Sequence, residues 1–204
     1  MMTLPPEAFV RADNSDDERF YAFPRFVTHL DDEAIAQVTS LYRTYLPADG
    51  VILDLMSSWV SHLPKDVNYT RVVGHGLNAE ELAANPVFNE TFVQNLNRHA
   101  QLPYSANTFD GAACCVSVQY MTQPVAVFRE VARVLKADAP FVVSFSNRCF
   151  PSKAVQAWLN LDDLGHIRLV EHYFEKSESF RRTIVYKWRP PVGDPLFAVI
   201  GFAR

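Results

Sequence analysis

Apolar positions along this chain fall into short unbroken runs and helically spaced faces, and their order predicts the architecture. From Asp31 a helix is signalled: Asp31 and Asp32 suit a cap and first turn, and Ile35, Val38, Leu41, Tyr42 and Tyr45 recur at helical spacing until Pro47. After a turn at Ala48-Asp49-Gly50, the run Val51 to Leu55 has the pattern of a strand buried on both faces. Arg71 to Gly74 and Thr91 to Gln94 read the same way. Asn78 can cap a helix to about Ala84, which Asn85-Pro86 ends because the residue before proline is pushed out of helical geometry. Phe109 to Val118 is strand-like, and Gln123-Pro124 opens a helix whose apolar face is Val127, Phe128, Val131, Val134 and Leu135. Phe141 to Phe145 is the next strand, followed by helices over Ser152 to Leu159 and Leu161 to Phe174. Two strands, Thr183 to Trp188 and Leu196 to Phe202, close the chain with a loop at Pro190 to Pro195 and no helix between them. Alternating strand and helix predicts a parallel sheet covered on both faces, and the last two strands predict an antiparallel hairpin.

Composition narrows the class of protein. The chain has 204 residues, 49% apolar and 21% charged, which suits one domain with a sizeable core. Residues 1–19 hold Pro5, Pro6 and an acidic stretch from Asp13 to Arg19 and predict a mobile or loosely docked segment, the start of an N-terminal arm over 1–30 ahead of a domain over 31–204. A formal net charge of -4 provides no basic field for nucleic acid. No apolar run reaches the roughly 18 residues of a membrane span, and Met1 to Asp17 lacks a secretory signal's pattern, so the expected setting is cytoplasmic. Cys114, Cys115 and Cys149 have neither disulfide nor metal-ligand spacing and read as buried free thiols. Only seven glycines occur where average usage of about 7% predicts roughly fourteen.

In open parallel sheets ligands bind beyond the carboxyl ends of the strands, near the point where strand order reverses. The segments to inspect are therefore Asp54 to Pro64, Gly74 to Asn78, Gln94 to Leu96 and Val116 to Tyr120. His62 stands just beyond the first of these, where it could touch a substrate or act as a base. His75 reads as rim and Trp59 as core packing. His166 and His172 are six apart on one helix, without the i, i+4 pairing of metal helices, so no metal site is expected there; Asp162 and Asp163 read as a cap.

One block is more specific. Leu102-Pro103-Tyr104-Ser105-Ala106-Asn107-Thr108-Phe109-Asp110, an apolar strand, and then Val125 to Leu135 leading into Phe141 to Arg148 resemble the class I S-adenosylmethionine-dependent methyltransferases of the small-molecule, type 11-like group. The likeness covers about residues 48–147, and Ser57 to Pro64 with Asn147 to Pro151 resembles a subgroup with a degenerate glycine motif. The resemblance implies a Rossmann-like, doubly wound α/β fold with a mostly parallel seven-stranded sheet and a C-terminal antiparallel hairpin. It implies S-adenosylmethionine as cofactor and a small-molecule acceptor, while the charge and the short apolar runs predict no nucleic acid and no membrane as partner. The oligomeric state stays open.

The resemblance also implies a cofactor site at Asp54, Met56, Ser57, Ser58, Gly74, Gly76, Asn78, Asn95, Leu96, Val116 and Ser117. Tyr21, His62, Tyr120 and Asn147 are the expected substrate pocket. The match to the family is incomplete in this region. Met56 and Ser58 stand where the first-strand motif has glycines, which costs about 1–2 kcal/mol wherever the backbone must be left-handed. Gly76 stands where an acid accepts the ribose hydroxyls, and Asn95 replaces the acid near the adenine. Glu80 or Glu81 is then a candidate to swing in. Losing one charged acceptor, added to loop strain, predicts cofactor binding weakened about 100- to 1000-fold. Three functions compete: a methyltransferase, whose in-line methyl transfer needs no dedicated acid or base; a fold that has lost catalysis and serves as a binding or scaffolding module; and a nucleotide-binding oxidoreductase on a related sheet, against which the absent glycine loop also counts.

Overall fold

The computed structural model describes residues 4–204, so residues 1–3 of the expected arm lie outside the described residues. Seven strands form one sheet: β1 (Val51–Asp54), β2 (Arg71–Gly76), β3 (Glu90–Val93), β4 (Gly111–Cys115), β5 (Pro140–Phe145), β6 (Phe180–Trp188) and β7 (Leu196–Ala203). Their order is β3-β2-β1-β4-β5-β7-β6. Every pairing from β3 to β5 is parallel, and β7 runs antiparallel between β5 and β6, as the closing pair of strands predicts. The helices are α1 (Asp17–Phe20), α2 (Asp32–Tyr45), α3 (Ala79–Ala84), α4 (Pro124–Val134), α5 (Gln156–Leu159) and α6 (Asp163–Ser177). The capping residues read from sequence are in place: Asp31, Asn78 and Asp162 each accept a hydrogen bond from the first turn of α2, α3 and α6.

Strand alternation splits the core into two layers. Phe141, Val143 and Phe145 of β5 face α4 and α6, meeting Phe128, Tyr173 and Phe174, whereas Val142 faces α2 with Ala198 and Ile200. Phe128 sits edge-on to Phe174 at 4.7 Å, and Gly201 of β7 lies so close under the Phe174 ring that a side chain there would collide with it. The adjacent thiols divide in the same way, Cys114 into the first layer and Cys115 against the second. Burial raises the pKa of both, that of Cys115 to about 12, so neither is a thiolate.

Four expectations are corrected. β3 is an edge strand with Val93 51% exposed, not a strand buried on both faces, because sequence cannot show that it has only one neighbour. The strand expected over Phe109 to Val118 pairs regularly only over 111–115; Val116, with φ at +44°, turns the chain away. The helix expected from Ser152 begins at Gln156, since Val155 is held extended by a bridge to Arg11. That bridge belongs to the fourth correction. The arm is held in place: Arg11 and Asp17 are 8% and 4% exposed and pair at 2.7 Å. The two crossovers over residues 55–70 and 94–110 contain no helix, which leaves the ends of β1 and β3 to be organised by loops.

Candidate functional site

The loop after β1 is fixed by the strand beside it. Met56 adopts φ of +54°, the left-handed conformation expected at the glycine position, and turns the chain across the end of β2. There the Met56 amide donates to His75 Nδ1 at 3.0 Å and the Ser57 amide donates to the His75 carbonyl at 2.6 Å. Since Nδ1 accepts, Nε2 carries the proton and donates to the Gln94 carbonyl at 2.8 Å. His75 is 1% exposed, and burial lowers its pKa to about 4, so it is a neutral staple between the β1 and β3 loops. This overturns the expectation of a rim residue.

Asp54, at the tip of β1, is 4% exposed and accepts hydrogen bonds from the hydroxyls of Ser57, at 2.8 Å, and Ser61. Burial nevertheless dominates and raises its pKa to about 6. Ser58 donates to Glu81 at 2.7 Å, and the Ser117 hydroxyl lies 3.0 Å from the Met56 carbonyl. The loop packs so tightly on β2 that a Cβ added at Gly76 would stand 2.6 Å from the Ser57 carbonyl oxygen. Gly76→Ala is therefore expected to cost about 1–3 kcal/mol, measurable by denaturant unfolding, because the colliding group is backbone held by His75.

A cavity of about 580 Å³ opens where strand order reverses between β1 and β4. Asp54, Met56, Ser57, Ser58, Gly76, Asn78, Asn95, Leu96, Val116 and Ser117 all line it, as do Tyr21, His62 and Tyr120. Gly74 and Asn147 do not: Gly74 lies within β2 against the Phe88 ring, and Asn147 is exposed after β5. Arg25, His29, Phe150 and Lys153 also line the cavity and were not read from sequence. Tyr120 and Phe150 form an aromatic wall: the Tyr120 hydroxyl accepts the Phe150 amide at 2.8 Å, and the two rings stack with centroids 6.0 Å apart.

The arm closes the other side. Asp17 takes Arg11 at 2.7 Å and lies 3.4 Å from the fully buried Lys153, while its second oxygen accepts from Asn97 at 3.0 Å. Trp59 is half-buried at the arm and not in the core, its indole donating to the Val27 carbonyl at 3.0 Å. His166 stacks flat on Trp158 at 3.9 Å and bonds its carbonyl, so it is occupied within the helical layer. Among the described residues no group of three or more His, Cys, Asp or Glu could hold a metal, and no helix is long and apolar enough to cross a membrane.

Strand order, the closing hairpin and a cavity at the reversal point are those of the fold found in solved S-adenosylmethionine-dependent methyltransferases. Residues 57–143, less than half of the chain, match the family described as Methyltransferase domain. The match starts just after Asp54. Among solved structures, a Pyrococcus horikoshii protein is similar at TM-score 0.61 and 18% identity, covering 92% of this chain and 99% of that one. Phosphoethanolamine N-methyltransferase 2 from Haemonchus contortus, solved with S-adenosylmethionine, is similar at TM-score 0.61 and 12% identity over 82% of this chain and 52% of that one. A chain of the complex between the Trm112 methyltransferase activator and a methyltransferase of Haloferax volcanii is similar at TM-score 0.61 and 12% identity, covering 84% and 90%. Likeness at these identities is likeness of fold. No curated protein matches the chain significantly.

Proposed function

We propose that the chain binds S-adenosylmethionine in this cavity and methylates a small-molecule acceptor in the cytoplasm. The observation that carries the reading is the cavity itself, placed at the reversal point with Asp54 in its wall and a volume of about 580 Å³, inside the roughly 300–1,000 Å³ range of small-molecule sites. The residues fit such a ligand in position and room. Met56 and Val116, both at positive φ, turn the chain just beyond β1 and β4, and both line the space. Asp54, Met56, Ser57, Ser58, Asn78, Asn95, Leu96, Val116 and Ser117 would hold the cofactor, with Gly74 acting only through the strand.

Bound there, the cofactor supplies a methyl group on a sulfonium. The chain's own part is to exclude water and orient the partner. Tyr21, Tyr120 and Phe150 offer aromatic surface to a planar acceptor, and Arg25 lies over Phe20 at 4.6 Å beside them. Burial lowers the pKa of His62 and of His29, and His29 lowers His62 further, so both are neutral imidazoles at pH 7 able to take a proton from an acceptor O–H or N–H.

The alternative, a binding or scaffolding module without catalysis, draws support from one feature: Asp54, Ser57, Ser58, Asn78 and Ser117 already spend polar atoms on bonds within the chain. Thermal shift separates the two. S-adenosylmethionine and S-adenosylhomocysteine are expected to stabilise the protein saturably, by about 2.7 kcal/mol at a hundredfold excess over Kd. That corresponds to roughly 5–10 °C for a chain of this size. No shift at millimolar ligand would transfer the reading to the scaffold.

A further inference from the structure

Sheets of this kind commonly hold a ribose through an acid at the end of the second strand, about 20 residues beyond the first loop. Here that place is shut. Gly76 has no side chain, and the Ser57 carbonyl oxygen stands 2.6 Å from where one would begin. The loop cannot easily retreat, because Met56 and Ser57 are both bonded to His75.

Neither neighbouring carboxylate takes the place of that acid, Glu80 because it does not line the cavity. Glu80 is exposed. Glu81 lines the cavity at 7% exposure, but its Oε1 accepts the Arg25 amide at 2.6 Å and its Oε2 the Ser58 hydroxyl at 2.7 Å. Asn78 is spent likewise: its Oδ1 accepts the Glu80 and Glu81 amides and its Nδ2 donates to the Tyr21 carbonyl. Each oxygen of Glu81 thus holds a different segment, one the arm and one the loop after β1.

We infer that the site does not read the ribose diol, and that Glu81 is a positioning residue, a clasp that closes the ribose end by tying the loop after β1 to the arm. The inference rests on the reading that an S-adenosyl nucleoside occupies the cavity. It makes the site tolerant of ribose modification, a specificity that a diol-clamping carboxylate would forbid.

The test is calorimetric titration of the full chain with S-adenosylhomocysteine and with its 2′-deoxy and 3′-deoxy analogues, on wild type, Glu81→Gln and Glu81→Ala, with amide hydrogen exchange on the free proteins. The deoxy analogues are expected to bind wild type within about threefold of the parent, where loss of a hydrogen bond to a carboxylate would cost about 10-fold or more. Both variants should leave that ratio unchanged. Glu81→Ala should speed exchange over residues 22–30 and 57–62, and Glu81→Gln, which keeps an acceptor, should restore much of the protection. A tenfold or larger preference for the parent in wild type would overturn the inference, and its disappearance in Glu81→Gln would make Glu81 the ribose acceptor. If wild type binds none of the ligands, the cofactor reading falls, and unchanged exchange in Glu81→Ala would remove the clasp as well. Should Glu81→Ala not fold, Ser58→Ala opens the same clasp from its other end and is read by the same exchange.

Discussion

Asp54→Asn is expected to stabilise the free protein at pH 7.5 by about 3 kcal/mol and to abolish its thermal response to S-adenosylhomocysteine. Burial raises the Asp54 pKa from 3.8 to about 6, against the opposing hydrogen bonds of Ser61 and Ser57. The sign follows from proton binding. Between about pH 4 and 6 the folded chain holds a proton on this group that the unfolded chain has released, so stability falls as pH rises through that window. Below pH 4 the group costs nothing; above about pH 6 the full penalty is present, roughly 1.4 kcal/mol for each pH unit separating the folded and unfolded pKa values. Asparagine cannot ionise, and its amide oxygen can still accept from Ser57 and Ser61. The difference between variant and wild type should therefore grow from near zero at pH 4 to its full value by pH 7.5, about 5–10 °C in Tm. Denaturant titrations at four pH values measure it. A variant less stable than wild type at pH 7.5, or a difference that ignores pH, would mean that the folded protein welcomes the charge. A retained ligand response would place the nucleoside away from β1.

That penalty falls where sequence reasoning was strongest. A lone Asp at the end of an apolar run marks a site because nothing in the run can neutralise it, and Asp54 does lie in the cavity wall. The fold was legible for similar reasons. Runs such as Phe141 to Phe145 and the helical face from Val127 to Val134 report period and burial, and those are local properties of the chain. Edge position is not local. The residues of β3 resemble those of β2, and only the order of strands decides that one is covered on two sides and the other on one.

The site was legible in position and less so in its bonding. The resemblance sets Met56 and Ser58 at the motif's glycine positions, and of the two only Met56 is in left-handed backbone, at the turn after β1. Its remedy could not be read. His75 looked like rim because it falls just past the expected strand end at Gly74, at a position that varies in the family the chain resembles, whereas β2 runs on through Gly76 and buries the imidazole under the β1 loop. Recognising it requires the pairing of β1 with β2, a contact between residues 19 apart. Arg25 and Lys153 were missed for a related reason. Arg25 belongs to the arm and Lys153, after β5, is bonded to Ser15 and Asp17 of it, and an arm rich in proline and acid gives no periodic signal of where it docks.

How firmly it docks is measured by Asp17, whose replacement with alanine is expected to destabilise the protein by about 3–5 kcal/mol. Arg11 and Lys153 are 8% and 0% exposed, and both point charge at the Asp17 carboxylate, Arg11 from 2.7 Å and Lys153 from 3.4 Å. Without it Lys153 keeps Asp13 at 3.1 Å, itself 35% exposed, while Arg11 keeps no carboxylate partner among the described residues. A buried cation stripped of its partner costs far more than the pair was worth, because desolvation is no longer offset. Lys153→Met supplies the contrast. It removes the charge together with the need for it, leaves Arg11 and Asp17 as a matched pair, and fills the space with a side chain of similar length, so its effect should stay within about 1–2 kcal/mol. The asymmetry carries the argument: a loosely docked arm would respond to Asp17→Ala by swinging into water, lowering stability by less than about 1 kcal/mol and exposing residues 4–30 to protease. A large loss in Asp17→Ala beside a small one in Lys153→Met would instead make the arm part of the folded unit, and with it the wall that Tyr21 and Arg25 give the cavity.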